Sequence, residues 1–238
     1  MSGVFRAVIF DFFGTLTQAV SRGPAHSRIA ESLGCEPSAF NRALDSTFLE
    51  RSVGAHGDAA TALGMVARMA GAFPSEAALR SVVVDRVAAV SADTRLRPEA
   101  APVLDTLRRF GLATAVISDC GPELPMLMPS LPIAPLVDTC VYSIEVGRRK
   151  PDPKMYYTAC NRLGVEPWDC LYVGDGGSRE LSGASAVGMT AVRLAAPDLD
   201  GHLTFDADAG WFGAEIDSLT DVFGALYARR DALALARP

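Results

Sequence analysis

The chain predicts an α/β fold: a doubly wound, mainly parallel sheet interrupted by one inserted helical segment. Short apolar runs end abruptly in polar residues, as residues 4–10 do before Asp11 and residues 170–173 before Gly174-Asp175. Helical patterns separate such runs, and strands alternating with helices imply parallel strands joined by crossovers. From about residue 21 to 90 the alternation stops, and helical patterns follow one another with no convincing strand among them.

Each element has its own signal. Residues 4–10 are mostly apolar and rich in branched or aromatic side chains, which predicts a strand buried on both faces. Asp11 follows at once, and Gly14 and Thr15 turn the chain at the strand's carboxyl end. Residues 26–33, 37–51, 58–70 and 75–89 read as helices, punctuated by Gly34, by 54–57 and by 71–74. In the second of these, Leu44, Phe48 and Leu49 have ordinary core spacing. Residues 98–110 form a helical pattern, 112–117 a strand ending at Ser118, and 136–142 another short strand. The turn at 150–153 opens a helix over 154–163. A strand at 170–173, a helix at 180–187 and a strand at 190–194 come next. Residues 205–207 read as a further edge strand and 217–228 as a closing helix, with a tail expected to fray. The expected units are 1–17 with 91–238 as the core, and 18–90 as the helical insertion.

Composition narrows the function. The 238 residues carry 22 basic and 28 acidic side chains, a net charge of −6, which weighs against a nucleic-acid partner bound through its phosphates. A small anionic substrate, bound by a few local groups, is compatible with it. Only Lys150 and Lys154 are lysines, so a mechanism needing a lysine has two candidates. The five cysteines include no CxxC pair, so neither a disulfide framework nor a thiolate zinc site is expected, and the location expected is cytoplasmic. No run of eighteen apolar residues exists, so no membrane span is expected. Monomer and homodimer both remain open.

Doubly wound sheets bind ligands at the carboxyl ends of their strands. Asp11, Ser118 and Asp175 fall there, and Lys150 sits in a loop before a helix. Asp11 is either a turn-capping residue or a reactive carboxylate; Gly14 and the turn amides beside it favour close approach of an anion. Thr15 can donate to backbone or to a ligand oxygen. Asp175 repeats the pattern, with Gly176 and Gly177 after it and Glu180 near the next helix start. Acidic residues from two strand ends make a hard-metal site of the kind Mg²⁺ occupies, and clustered carboxylates without a cation repel one another. Ser118 either binds a transferred anionic group or caps the next turn. Pro151 and Pro153 stiffen the mounting of Lys150. His26, His56 and His202 are scattered without metal-ligand spacing, and His56 reads as a surface-loop residue. Trp168 and Trp211 read as packing residues.

Four segments together resemble the haloacid dehalogenase-like (HAD) hydrolase superfamily: Asp11-Phe12-Phe13-Gly14-Thr15-Leu16-Thr17, Ile117-Ser118-Asp119, Lys150-Pro151-Asp152-Pro153, and Gly174-Asp175-Gly176-Gly177-Ser178-Arg179-Glu180. The resemblance implies a Rossmann-like HAD core with a helical cap inserted after the first motif. It implies Asp11 as nucleophile, forming an aspartyl intermediate. It implies Ser118, Asp119 and Lys150 around the substrate anion, and Mg²⁺ held by Asp11, the Phe13 carbonyl, Asp175 and Glu180. One departure matters: family phosphatases carry a second aspartate where Phe13 stands, and phenylalanine transfers no proton. The leading expectation is a Mg²⁺-dependent hydrolase of a small phosphorylated metabolite. The alternatives are a 2-haloacid dehalogenase-type enzyme, in which a cap arginine binds substrate and Arg42 is the candidate, and a HAD-fold protein with little or no turnover. A phosphonoacetaldehyde-type activity is disfavoured, because the resemblance requires a cap lysine for it and the insertion has none.

Overall fold

A computed structural model describes residues 4–200, 202 and 204–235, with side chains described up to 228. Among these, six parallel strands form one sheet in the order β3-β2-β1-β4-β5-β6. They are β1 (Ala7–Phe10), β2 (Ala113–Ser118), β3 (Thr139–Tyr142), β4 (Cys170–Gly174), β5 (Thr190–Leu194) and β6 (Ala214–Ile216). Every residue of β1 and β4 is buried, as expected of strands covered on both faces. The two-residue alternation of the pleat divides the core. Val8 and Phe10 join Val116, Leu171 and Val173 on one face, whereas Ala7 and Ile9 join Ala115, Ile117 and Tyr172 on the other.

The insertion between β1 and β2 consists of five helices: α1 (Pro24–Ser32), α2 (Pro37–Ser46), α3 (Phe48–Arg51), α4 (Ala59–Met69) and α5 (Glu76–Asp93). It closes its own small core around Ile29, Phe40, Leu44, Leu63, Val66 and Val82. Asp58 and Ser75 cap α4 and α5 through side-chain oxygens that accept the amides of Thr61 and Ala78. The core helices are α6 (Ala100–Arg109), α7 (Glu123–Leu127), α8 (Ser143–Val146), α9 (Pro153–Leu163), α10 (Glu180–Ala186) and α11 (Val222–Leu235). Val103, Leu104 and Leu107 of α6 cover one sheet face; Met155 and Tyr156 of α9 and Leu181 of α10 cover the other.

Several expectations are corrected. The helix expected over 37–51 breaks at Thr47, whose hydroxyl donates to the Ala43 carbonyl (2.7 Å) and ends α2. Of the expected core stripe only Leu44 is buried: Leu49 is exposed, and Phe48 stacks on Phe205 of the core with ring centroids 4.2 Å apart. Residues 205–207 form no strand. The sheet edge is instead Ala214–Ile216, a short run with too little apolar alternation to stand out. The closing helix extends to Leu235, and the rest of the tail lies outside the described residues. Trp211 packs against the sheet, but Trp168 is 45 % exposed.

Candidate active site

β1 lies between β2 and β4, so the chain switches sheet direction beside it. Crevices at such switch points are where open parallel sheets bind ligands. The register places Phe10 opposite Val116 and Val173, which brings Asp11, Ser118 and Asp175 to the same end of the sheet. Asp11 does not act as a helix cap: its side chain makes no capping hydrogen bond. The turn after it is closed by the Thr17 amide donating to the Phe12 carbonyl (3.0 Å) and the Gly14 amide donating to Thr17 Oγ1 (3.0 Å). Gly14 has φ +81°, and a Cβ there would meet His202 Nε2 at 2.7 Å and Asp175 Oδ2 at 2.9 Å. Both the backbone angle and the space therefore require glycine. Arg97, buried beneath this turn, donates to the carbonyls of Thr15 and Gly14 (3.0 Å each) and pairs with Asp198 at 2.6 Å.

Lys150 bridges two carboxylates. Its Nζ lies 2.5 Å from Asp11 Oδ1 and 2.5 Å from Glu180 Oε2. Its own amide donates to Asp119 Oδ1 (3.0 Å), so Asp119 fixes the loop that carries the ammonium. Tyr172 donates to Glu180 Oε2 (2.8 Å) and the Gly176 amide to Glu180 Oε1 (3.0 Å). Asp175 accepts the Gly177 amide (3.1 Å) and faces His202 Nε2 at 3.5 Å. His202 Nδ1 accepts the Val20 amide (2.9 Å), which leaves the Nε2 proton directed toward Asp175.

Burial governs the electrostatics. It raises Asp11 to about 7, reinforced by Glu180 and opposed by Lys150. It raises Glu180 to about 7, again against the pull of Lys150, and Asp175 to about 6, where the Asp11 charge adds to it. Burial works against the Lys150 ammonium too, but Asp11, Glu180 and Asp119 outweigh it and hold its pKa well above the ordinary lysine value.

Carboxylate oxygens of Asp11, Asp175 and Glu180 lie within 4.8 Å of one another. An all-oxygen donor set of this kind suits a hard divalent cation, and a cation there would offset the burial, and the smaller mutual repulsion, that raise the three acids. The donor set therefore fits Mg²⁺.

A cavity of about 180 Å³ opens above these groups. Asp11, Phe13, Asp119, Lys150 and Asp175 line it from the core, and Phe48, Arg51 and Arg86 from the insertion. Thr15 and Ser118 are fully buried behind this wall rather than part of it, and neither hydroxyl has a hydrogen-bond partner among the described residues. Arg42 lies elsewhere: it is exposed on α2 and donates to Ser38 Oγ (3.0 Å). Arg51 and Arg86 occupy the cavity side of the insertion in its place. Sequence reading missed both, as it missed His202, because each reaches the site through a loop or helix rotation that no spacing rule encodes. His26, also treated as scattered, lines the same cavity.

Fold and site together define an α/β hydrolase-type protein with a buried aspartate at the topological switch point. A family model for haloacid dehalogenase-like hydrolases matches residues 5–188, and the chain belongs to that family. It is 31 % identical over 118 residues to (S)-2-haloacid dehalogenase 4A of Burkholderia cepacia, covering 48 % of this chain and 50 % of that protein. It is 32 % identical over 131 residues to the glyceraldehyde 3-phosphate phosphatase of Methanopyrus kandleri, covering 55 % and 56 %. The chain thus spans about half the length of these two relatives. Its fold is similar to that of L-2-haloacid dehalogenase from Xanthobacter autotrophicus, with a TM-score of 0.68, 22 % identity and coverage of 94 % and 99 %.

Proposed function

We propose that the protein is a Mg²⁺-dependent hydrolase of a small phosphorylated molecule, acting through an aspartyl intermediate on Asp11. The observation that carries this reading is the approach of Asp11, Asp175 and Glu180 within 4.8 Å around a buried lysine. Three carboxylates clustered so closely need more positive charge than one ammonium supplies. We assign residues 18–90 to the cap and the remainder to the catalytic core, with α5 carrying the cap's last helix on to Asp93.

Asp11, Asp175, Glu180 and the Phe13 carbonyl would hold the ion. When bound it supplies charge neutralisation between an anionic nucleophile and an anionic substrate. Asp11 attacks phosphorus, the ester P–O bond breaks, and the leaving oxygen departs with that bond's electron pair. Water then attacks phosphorus in the aspartyl phosphate and the P–O bond to Asp11 breaks, restoring its carboxylate; one proton of that water stays on inorganic phosphate and the other, lost to solvent, balances the proton that the leaving alkoxide takes from solvent. Lys150 holds Asp11 in place and offers its ammonium to the phosphoryl oxygens; Glu180 and Asp119 hold Lys150. The resemblance implies a phosphoryl contact for Ser118, but its hydroxyl is fully buried and does not line the cavity.

The test is release of phosphate from a panel of phosphomonoesters with and without Mg²⁺. Metal-dependent release that disappears in Asp11→Asn is expected; turnover of that variant at the original rate would remove Asp11 as nucleophile. Asp175→Asn is expected to weaken Mg²⁺ binding at least about tenfold, since it removes one charged ligand from a hard-cation site. Calorimetric titration that finds unchanged affinity would contradict the metal assignment.

A second reading rests on Phe13, which lines the cavity where a proton donor would stand. A departing halide needs no proton, so a 2-haloacid dehalogenase-type reaction tolerates this residue. Halide release without metal, in the absence of phosphate release, would establish it instead.

A further inference from the structure

Asp11 and Glu180 share the Lys150 ammonium, but Asp175 does not: among the described residues the basic side chain paired with it is His202, Nε2 to Oδ2 3.5 Å. Asp175 follows β4 on a loop where Gly176 has φ +97°, so no helix fixes its direction. Its Oδ1 accepts the Gly177 amide (3.1 Å), which holds one oxygen and leaves Oδ2 to His202. The His202 ring is itself set from two sides. The Val20 amide donates to Nδ1 (2.9 Å), and a neutral imidazole that accepts at one nitrogen carries its proton on the other. The missing Cβ at Gly14 leaves the ring its space, since a Cβ there would stand 2.7 Å from Nε2. The ring is 4 % exposed, so little water competes for the Nε2 proton, and the acceptor it faces is Asp175. A carboxylate oxygen has more than one lone-pair site, so accepting from His202 does not block ligation. Groups that hydrogen-bond a ligating side chain fix its orientation, and removing one typically costs roughly 10–100-fold in metal affinity.

We infer that His202 is a positioning residue for the metal site: its Nε2–H holds the Asp175 carboxylate within the acidic cluster, and the Val20 amide enforces the tautomer that does so. This rests on Asp175 as a metal ligand in the proposed reaction, but not on the identity of the substrate. Val20 lies in the segment that leads from the turn after β1 into α1. The backbone entering the cap and a metal ligand of the core thus meet on one side chain. The effect of His202 runs through Asp175 rather than through the substrate.

The test separates the two ring nitrogens. In His202→Gln the side-chain amide reaches the place of Nε2 and keeps a donor toward Asp175. In His202→Asn it reaches only the place of Nδ1 and keeps an acceptor for the Val20 amide. Calorimetric titration with Mg²⁺, without substrate, is expected to give an affinity at least about tenfold lower for His202→Asn, and within about threefold of the unsubstituted protein for His202→Gln. A loss in His202→Gln as large as that in His202→Asn would mean that the ring acts by filling space, and overturns the inference. Unchanged affinity in His202→Asn overturns it too. A second measurement needs no substitution: ¹⁵N NMR of the unsubstituted protein at about pH 8, above the ordinary histidine range. The His202 ring is identified by the coupling through the hydrogen bond between its Nδ1 and the Val20 nitrogen. Nε2 is expected to carry the proton, and its resonance to move on saturation with Mg²⁺. A ring protonated at Nδ1, or an Nε2 resonance indifferent to the ion, overturns the inference even where neither variant folds. Mg²⁺ binding that ignores His202 removes the inference alone; an unsubstituted protein that binds no Mg²⁺ removes the metal assignment and the inference together.

Discussion

At the scale of single residues, Phe13 decides which leaving groups the site can release. An alkoxide leaves slowly without a proton, and general acids typically contribute ~10²–10⁴-fold to such steps. Phe13 stands at the cavity wall with its ring edge-on to Phe12, centroids 4.9 Å apart. Esters of acidic alcohols, such as aryl phosphates, are therefore expected to turn over much faster than alkyl phosphates. Phe13→Asp is expected to raise kcat for an alkyl phosphate roughly tenfold or more, and to raise it less for an aryl phosphate. Initial rates of phosphate release on the two esters check this; equal gains on both would show that the substitution acts by something other than proton donation. This consequence was legible in the sequence, because Phe13 lies two residues from Asp11 and local spacing fixes their relation. His202 was not legible. It reaches Asp175 by the return of a loop after β5, and no pattern in the sequence records that return.

Secondary-structure elements show the same division. Strands β1 and β4 announce themselves because a fully buried strand must be apolar along its whole length, and β2 and β5 carry shorter apolar runs that read the same way. β6 does not, because Ala214, Glu215 and Ile216 lie at the sheet edge with little to bury. Arg42 is the cap arginine that the dehalogenase resemblance offers, but it is exposed on α2 and donates to Ser38. The helix breaks at Thr47, and Arg51 of α3, beyond the break, lines the cavity. The turn after β1 depends on an equally nonlocal support. Arg97 satisfies two of its carbonyls while pairing with Asp198, whose Oδ2 also accepts the Ala19 amide (2.9 Å). Arg97→Met keeps much of the side chain's volume and removes all three bonds. It is expected to cost about 2–3 kcal/mol, the scale of lost hydrogen bonds to a charged group. It is also expected to weaken Mg²⁺ binding by displacing Asp11 and the Phe13 carbonyl. Urea unfolding gives the first quantity and calorimetry the second; a stability loss with unchanged Mg²⁺ affinity would mean that the turn holds its shape without Arg97.

For the molecule as a whole, the seam between cap and core ties folding to pH. His26 of α1 lies 2.9 Å from Asp93 of α5, and Arg86 of α5 pairs with Glu123 of α7 across the cavity. Burial lowers the His26 pKa below 6.5, Arg86 lowers it further, and Asp93 only partly offsets them. Burial pushes Glu123 up, but the charge and hydrogen bond of Arg86 outweigh it and the net shift is downward. Both shifts act in one direction. Each group binds a proton more readily in the unfolded chain, so the stability it contributes is present above its unfolded pKa and lost as pH falls through its folded value. For His26 that loss begins near pH 6.5; for Glu123 it begins near 4.5. The three raised acids Asp11, Asp175 and Glu180 work oppositely, holding protons in the folded chain up to about pH 6 to 7, so a bare stability curve mixes both signs. A difference measurement separates them. The stability of His26→Gln minus that of the unsubstituted protein cancels the acids, which both proteins share. That difference is expected to rise as pH is lowered from 8 to 5, beginning near 6.5, at a slope of at most about 1.4 kcal/mol per pH unit. Urea unfolding at fixed ionic strength across that range reads it directly. A flat difference would mean that His26 titrates alike in both states, and a falling one that Asp93 holds it as a cation in the folded protein.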